Sequence, residues 1–171
     1  MNTKIMNLFG DDEQEKDLFR KVDTGGRRNE NPLTQQQKEE TIEYAISLGI
    51  SKDHVFYTDH GYTSYGDSFD VLRIGTDVYP TDVLPSSPNS RISWKGAIAH
   101  ELIGHREAYL RGWTQSDAVL EEVQASLRAA KFAPKLTETE KQDLVADALN
   151  RLAVYNKTLD EVESSLFIEE R

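Results

Sequence analysis

The sequence predicts an α+β fold, with a small sheet early in the chain and a mostly helical C-terminal half, and three observations lead there. Short β-prone runs separated by turn residues are confined to positions 54–83. Beyond them, Thr114 with Asp117, Thr137 with Glu140 and Thr158 with Glu161 each form a capping-box-like helix start. A chain of 171 residues with 37% hydrophobic content is long enough for one domain with a real core and too short for two.

Taken in order, residues 1–31 mix acidic residues with Gly25-Gly26-Arg27-Arg28-Asn29, end at Asn31-Pro32, and read as a flexible N-terminal linker ahead of a domain over 32–171. Thr34 to Leu48 reads as a helix with Thr34 at the N-cap, Ile42, Ala45 and Ile46 on its apolar side, and Gly49 as the stop. His54–Tyr57, Phe69–Ile74 and Asp77–Val83 read as short strands around a turn-rich stretch from Gly61 to Gly66. Pro80, Pro85 and Pro88 make a rigid loop that leads into a helix over Ser93–Arg111, stopped by Gly112. The three helices with capping-box starts follow, the first over Thr114–Lys131, and Trp94 and Trp113 are expected to anchor the ends of the preceding helix in the core.

Composition narrows the function classes. The formal net charge of -10 repels phosphate backbones, and Lys and Arg are scattered rather than striped, so the expected partner is a peptide or protein and not a nucleic acid. With no cysteine, any zinc site must be built from His, Asp or Glu, and the histidines are limited to positions 54, 60, 100 and 105. No apolar run approaches the ~20 residues of a membrane span, and the N-terminus lacks the apolar region of a signal peptide.

The most informative stretch is His100-Glu101-Leu102-Ile103-Gly104-His105. Metalloprotease helices usually space their histidines four apart, so that both rings leave one face and a Glu beside the first acts as base. Here the step is five, which on a regular helix separates the rings by roughly 140°. Two readings follow: the helix contains one wide turn, a device found mostly at functional sites and eased by Gly104, or the motif is accidental. The apolar neighbours Ala97, Ile98, Ala99, Leu102 and Ile103 make two imidazoles and a carboxylate costly to bury without a partner, which favours a metal. A rival arrangement pairs Glu101 with His105, four apart on an undistorted helix, as ligands and leaves His100 out.

A second segment, Glu121-Glu122-Val123-Gln124-Ala125, completes a pair of motifs that resembles the signature of the dipeptidyl peptidase III family of zinc peptidases. The resemblance implies His100, His105 and Glu122 as zinc ligands, Glu101 as general base and Glu121 as an outer partner. It spans about 25 residues, and Ser126 stands where that family has an acidic residue. Position on the helix also separates the two acids. The apolar stripe is Val119, Val123, Leu127 and Ala130; Glu122 lies nearer its centre, and Glu121 falls on the far side with Arg128, as either a solvated acid or a partner of a ligand His.

Residues Thr63-Ser64-Tyr65-Gly66, Arg73 to Pro80, Ser90-Arg91-Ile92-Ser93 and Ala99 to Ala108 resemble C-terminal toxin domains of bacterial polymorphic toxins, particularly those attached to RHS-repeat proteins. That resemblance implies an effector delivered into the cytoplasm of a target cell, exported by a larger parent or a dedicated machine, and neutralised by a cognate immunity protein. The order helix, small sheet, motif helix, ligand-bearing helix is similar to a minimal zincin, in which an edge strand beside the site holds an extended substrate; Val71–Ile74 is the expected edge.

Several other residues are candidates for roles at the site. Glu107, one turn past the motif, either contacts a ligand or pairs with Arg111. Asp59-His60-Gly61 with Tyr62 and Tyr65 forms a turn that either overhangs the cleft or is plain surface. His60, Tyr62, Tyr65 and Arg106 are the candidates for stabilising an oxyanion. The leading expectation is a zinc-dependent peptidase in which Glu101 takes a proton from the attacking water and passes it to the leaving amine. The alternatives are a metal-dependent hydrolase or nuclease-type toxin acting on another substrate, and a non-catalytic domain with a structural zinc, which a fourth protein ligand would favour.

Overall fold

The computed structural model describes residues 28–59, 61–81 and 87–171; positions 1–27 of the expected linker, His60, and the loop containing Pro85 lie outside the described residues. The first helix, α1 (Gln35–Ser47), starts where its capping box dictates. The Thr34 hydroxyl accepts the Gln37 N–H at 3.1 Å and the Gln37 side chain accepts the Thr34 N–H at 2.9 Å. It ends before Gly49, whose φ of 104° suits glycine alone.

A three-stranded sheet follows, made of β1 (Val55–Tyr57), β2 (Ser64–Gly66) and β3 (Val71–Ile74), in the order β1-β3-β2. β1 runs parallel to β3 with Val55 opposite Leu72, and β2 runs antiparallel with Tyr65 opposite Leu72. Two expectations change here. Val71–Ile74 is the central strand and not an edge, because Ser64–Gly66, a stretch rich in turn formers, pairs with it and takes the edge. Asp77 does not open a third strand: Thr76–Val78 form a 3-10 turn, and the Asp77 carboxylate accepts the Thr63 N–H at 2.8 Å and hydroxyl at 2.7 Å, holding the chain against the sheet.

Arg28 and Asn29, at the end of the expected linker, are docked on the domain. The Arg28 guanidinium donates to the carbonyls of Asp77 (2.6 Å), Asn89 (2.7 Å), Ile92 (2.9 Å) and Val78 (3.0 Å), joining the turn after β3 to the entry of the helical half. The Asn29 N–H donates to the Tyr79 carbonyl at 3.2 Å.

The helical half begins with a single turn, α2 (Pro88–Arg91), and then the motif helix, which has three parts: α3 (Trp94–Ala99), a π-helical segment (His100–Arg106) and α4 (Glu107–Leu110). The Glu107 N–H bonds to the Leu102 carbonyl five residues back, so the wide turn is present. Next comes α5 (Ala118–Phe132), capped by Asp117, whose side chain accepts from the Val119 and Leu120 N–H groups. The helix thus starts three residues later than Thr114 suggested, since the Asp117 carboxylate is the stronger cap. Helix α6 (Glu138–Val154) carries the expected Thr137–Glu140 capping box, and the short α7 (Leu159–Val162) follows Thr158. No helix among the described residues is long and apolar enough to cross a membrane.

One core joins β3 to the motif helix through Leu72, Ile74, Ile98, Leu102 and Ile103, all fully buried. A second joins α5, α6 and the C-terminal segment through Val123, Leu127, Ala148, Leu152, Leu166 and Ile168. Helix α5 lies between them and is buried on every face, from Val123 to Ala130. Its inward polar groups are bonded with one exception, Arg128 Nη2, which has no hydrogen-bond partner and stands 4.0 Å from a Glu107 carboxylate oxygen. Arg128 is 0% exposed; its Nη1 donates to the Phe167 and Glu170 carbonyls at 2.7 Å and its Nε to the Ile103 carbonyl at 3.3 Å, while the Trp113 and Phe132 rings flank it.

The motif helix and α5 touch where a side chain is missing. A Cβ placed on Gly104 would stand 2.5 Å from the carbonyl oxygen of Ala125 and 2.7 Å from its Cα and Cβ. Since that neighbour is backbone, it has no rotamer through which to give way. Gly104→Ala is expected to cost about 3 kcal/mol of stability, the upper part of the usual overpacking range, read as a lower urea midpoint at unchanged slope. An unchanged midpoint would show that the two helices separate without cost.

Candidate metal centre

The wide turn brings the two histidines of the motif together. Nε2 of His100 and Nε2 of His105 lie 3.1 Å apart, with the rings nearly perpendicular at 82°. Glu122, on α5, meets both: its Oε2 is 3.0 Å from His100 Nε2 and its Oε1 is 3.4 Å from His105 Nε2. A tetrahedral zinc with bonds of ~2.0–2.1 Å sets its ligand atoms roughly 3.3 Å apart, so the donor set fits that ion in type and in mutual spacing. Hydrogen bonding alone accounts poorly for the same trio, because two facing imidazole nitrogens need one donor and one acceptor while each also faces a carboxylate.

Glu101 stands beside these atoms without joining the close trio. One of its oxygens and one ring nitrogen from each histidine lie within 4.8 Å of one another. Its Oε2 accepts the backbone N–H of Tyr65 at 2.9 Å, so the edge strand β2 aims the carboxylate. The pairing of Glu101 with His105 alone required a regular helix that turned His100 away; the π-helical segment turns His100 inward, and that arrangement does not form.

Burial and mutual attraction compete at these groups. Burial raises Glu101, and the neighbouring His105 and His100 only partly offset it. For Glu122 burial also acts upward, but His105, the close approach of both imidazoles and Arg151 outweigh it and hold the carboxyl well below the usual range. His105 is held well above its usual value: burial pulls it down, and Glu122, Glu121 and Glu101 more than compensate. The cluster of buried carboxylates is a favourable place for a cation.

Each imidazole is also backed from behind. His105 Nδ1 is 3.4 Å from Glu121 Oε1, and Glu121 Oε2 accepts the Gln115 N–H at 2.6 Å. Glu121 therefore points inward, not to the far side. The expectation of a single apolar stripe does not hold for α5, because the motif helix, α6 and the C-terminal segment surround it. His100 Nδ1 is 3.0 Å from the Ser126 hydroxyl, which donates at 2.7 Å to Asp147 on α6. Arg151, one turn on, bonds Asp147 at 3.0 Å and stands 3.7 Å from Glu122.

Sequence reasoning missed Ser126, Asp147 and Arg151. Ser126 had a signal, since four residues after Glu122 it must share that face of α5. Asp147 and Arg151 had none, as an acid and a base four apart on a helix usually mark a solvated pair.

The remaining candidates lie around the centre. Tyr65 contributes its backbone to Glu101, and its phenol donates to Asp70 at 2.9 Å. Arg106 holds the same carboxylate with two bonds, 2.6 and 3.1 Å. Glu107 pairs with Arg171 at 3.1 Å and stands 4.0 Å from Arg128, and its expected partner Arg111 donates instead to the Arg171 carbonyl. Comparison with protein-family models, with curated proteins and with solved structures finds no match to the chain.

Asp70 thus ties the β2–β3 turn to the residue after His105. Its φ of 51° is one that Asn also tolerates, so Asp70→Asn removes the charge and spares the backbone. The Arg106 guanidinium holds the Asp70 carboxyl below its ordinary value, against a smaller upward push from burial. A lowered folded pKa stabilises above the ordinary carboxylate value of ~3.9, and that stability is lost as pH falls through the folded pKa. The variant is expected to be less stable by on the order of 1 kcal/mol at pH 7, a value limited by partial solvent screening, with the deficit vanishing in urea titrations at acid pH. A deficit independent of pH would assign the effect to packing.

Proposed function

We propose that this chain is a zinc-dependent peptidase of zincin-like build, serving as the effector domain of a bacterial polymorphic toxin. The observation that carries the reading is the convergence of His100 Nε2, His105 Nε2 and a Glu122 carboxylate at 3.0–3.4 Å, with the Glu101 carboxylate held alongside by β2. His100, His105 and Glu122 would hold the ion. When bound, zinc lowers the pKa of a water toward ~7 and polarises a carbonyl group.

The protein's own groups supply the proton traffic and the positioning. Glu101, raised by burial, is suited to accept a proton from the attacking water and to return it to the leaving amine. As the sheet edge beside the motif helix, β2 is the strand along which an extended peptide would lie, with its Tyr65 N–H already committed to Glu101. Tyr65 and Arg106 are committed to Asp70, which counts against either side chain as the oxyanion donor. The net charge of -10 favours a protein or peptide substrate over a nucleic acid. The toxin setting rests on the resemblance of residues 63–108 and carries with it delivery into a target-cell cytoplasm and a cognate immunity protein.

A second reading, a structural zinc, draws on the same proximity. Glu101 lies within 4.8 Å of the ligand histidines and in that reading closes the site as a fourth ligand. Metal content, peptide hydrolysis and toxicity on expression inside a bacterium separate the two. The peptidase reading expects about one zinc per wild-type chain, retained in Glu101→Gln with hydrolysis reduced at least ~100-fold and toxicity gone, and lost with activity in His105→Ala. Loss of metal from Glu101→Gln selects the structural site. A wild-type protein that takes up no zinc removes both readings.

A further inference from the structure

Asp147 lies on a helix that carries no part of either motif, yet its carboxylate sits two hydrogen bonds from the His100 ring. It is 1% exposed and fully engaged: Oδ2 accepts from Ser126 Oγ at 2.7 Å and from Arg151 Nε at 3.0 Å, and Oδ1 from Asn89 Nδ2 at 3.3 Å. Ser126, itself 0% exposed, lies between this carboxylate and His100 Nδ1, 3.0 Å away. A hydroxyl has one hydrogen, and a carboxylate paired with arginine has none to give. The Ser126 hydrogen therefore goes to Asp147, and the Ser126 lone pair is left to accept the N–H at Nδ1 of His100. In the neutral ring this leaves Nε2 bare, and Nε2 is the nitrogen that faces Glu122 and His105.

Arg151 closes the circuit. Its Nη1 stands 3.7 Å from Glu122 Oε2, so one guanidinium links the Asp147 carboxylate to the Glu122 carboxylate. The path His100, Ser126, Asp147, Arg151, Glu122 and back to His100 is a ring of contacts between 2.7 and 3.7 Å, buried between α5, α6 and the motif helix. If its only task were to neutralise Asp147, Arg151 alone would serve, and the Ser126 hydroxyl would not need to face the ring of a ligand histidine.

We propose that Asp147 acting through Ser126, and Arg151 acting on Glu122, are positioning residues of the metal centre, through which α6 fixes the tautomer and aim of His100 and the aim of Glu122. The proposal rests on the zinc reading above. A ligand histidine with its far nitrogen held in this way is more basic and better oriented, and loss of such support typically weakens metal binding by roughly 10–100-fold.

The test is zinc affinity of the full chain by competition with a chromophoric chelator, for wild type, Ser126→Ala, Asp147→Asn, the double variant, Ser126→Thr and the control His105→Ala. Thermal melts of each metal-free protein are taken alongside. The relay expects Ser126→Ala and Asp147→Asn each to weaken zinc by roughly 10–100-fold, the double variant to be no weaker than the worse single one, and Ser126→Thr, which restores the hydroxyl, to stay near wild type. In the zinc-loaded protein the Nδ1–H proton resonance of His100 is expected to be protected in wild type and lost to exchange in Ser126→Ala. Losses that multiply in the double variant, or lower melting temperatures at unchanged zinc affinity and unchanged proton signal, overturn the relay. Should Asp147→Asn not fold, the contrast of Ser126→Ala with Ser126→Thr decides. Zinc affinity that is present in wild type, abolished by His105→Ala and untouched by Ser126→Ala sinks the relay alone; no zinc binding by wild type sinks the zinc reading and the relay with it.

Discussion

Between His100 and His105 the motif helix holds one residue more than a regular turn accommodates, and the geometry of the site follows from how that residue is absorbed. A regular helix would point the two rings roughly 140° apart; the π-helical segment sets their Nε2 atoms 3.1 Å apart. A wide turn spoils the regular ladder of backbone bonds, and a mid-helix carbonyl then needs another donor. Ile103, directly after the carbonyl that accepts across the wide turn, receives Arg128 Nε. Arg128 belongs to α5, the helix that also carries Glu122, so one element both supports the distortion and meets the rings it turns inward. Gly104 and Ala125 then let the two backbones approach closely enough for Glu122 to reach both nitrogens.

Electrostatics impose a second requirement. Five ionisable side chains, His100, His105, Glu101, Glu121 and Glu122, meet in a low-dielectric space, and burying them unpaired would cost several kcal/mol each. Every one has an identified contact: Tyr65 N–H for Glu101, Gln115 N–H for Glu121, Arg151 for Glu122, Ser126 and Glu121 behind the rings. These partners come from the sheet edge, the loop before α5, and α6. The centre is therefore a junction at which almost every layer of the fold contributes a polar atom.

The helical half was largely legible because its signals are local. Thr137 with Glu140 forms its capping box as read, while the start read at Thr114 moves to Asp117 and Thr158 caps nothing with its side chain; the five-residue step between histidines announces a wide turn to anyone who takes the pair as real. What failed were judgements that depend on distant neighbours. Ser64–Gly66 has the composition of a turn and becomes a strand only because β3 offers it a ladder. Glu121 and Arg128 look like one solvated face of α5, and they are inside because three other elements enclose that helix. Asp147 and Arg151 look like a surface pair until burial is known.

The arm around Arg28 has a bearing on where the folded unit tolerates a cut in its backbone. Its guanidinium satisfies the carbonyls of Asp77, Val78, Asn89 and Ile92, which belong to segments on either side of the loop leading to the motif helix. Hydrolysis of the backbone upstream of that residue leaves the clasp in place. Hydrolysis just downstream detaches it and strands those carbonyls. The docked part of the chain thus begins at or before Arg28, where that side chain and Asn29 together bind the turn after β3, some seventy positions ahead of the motif.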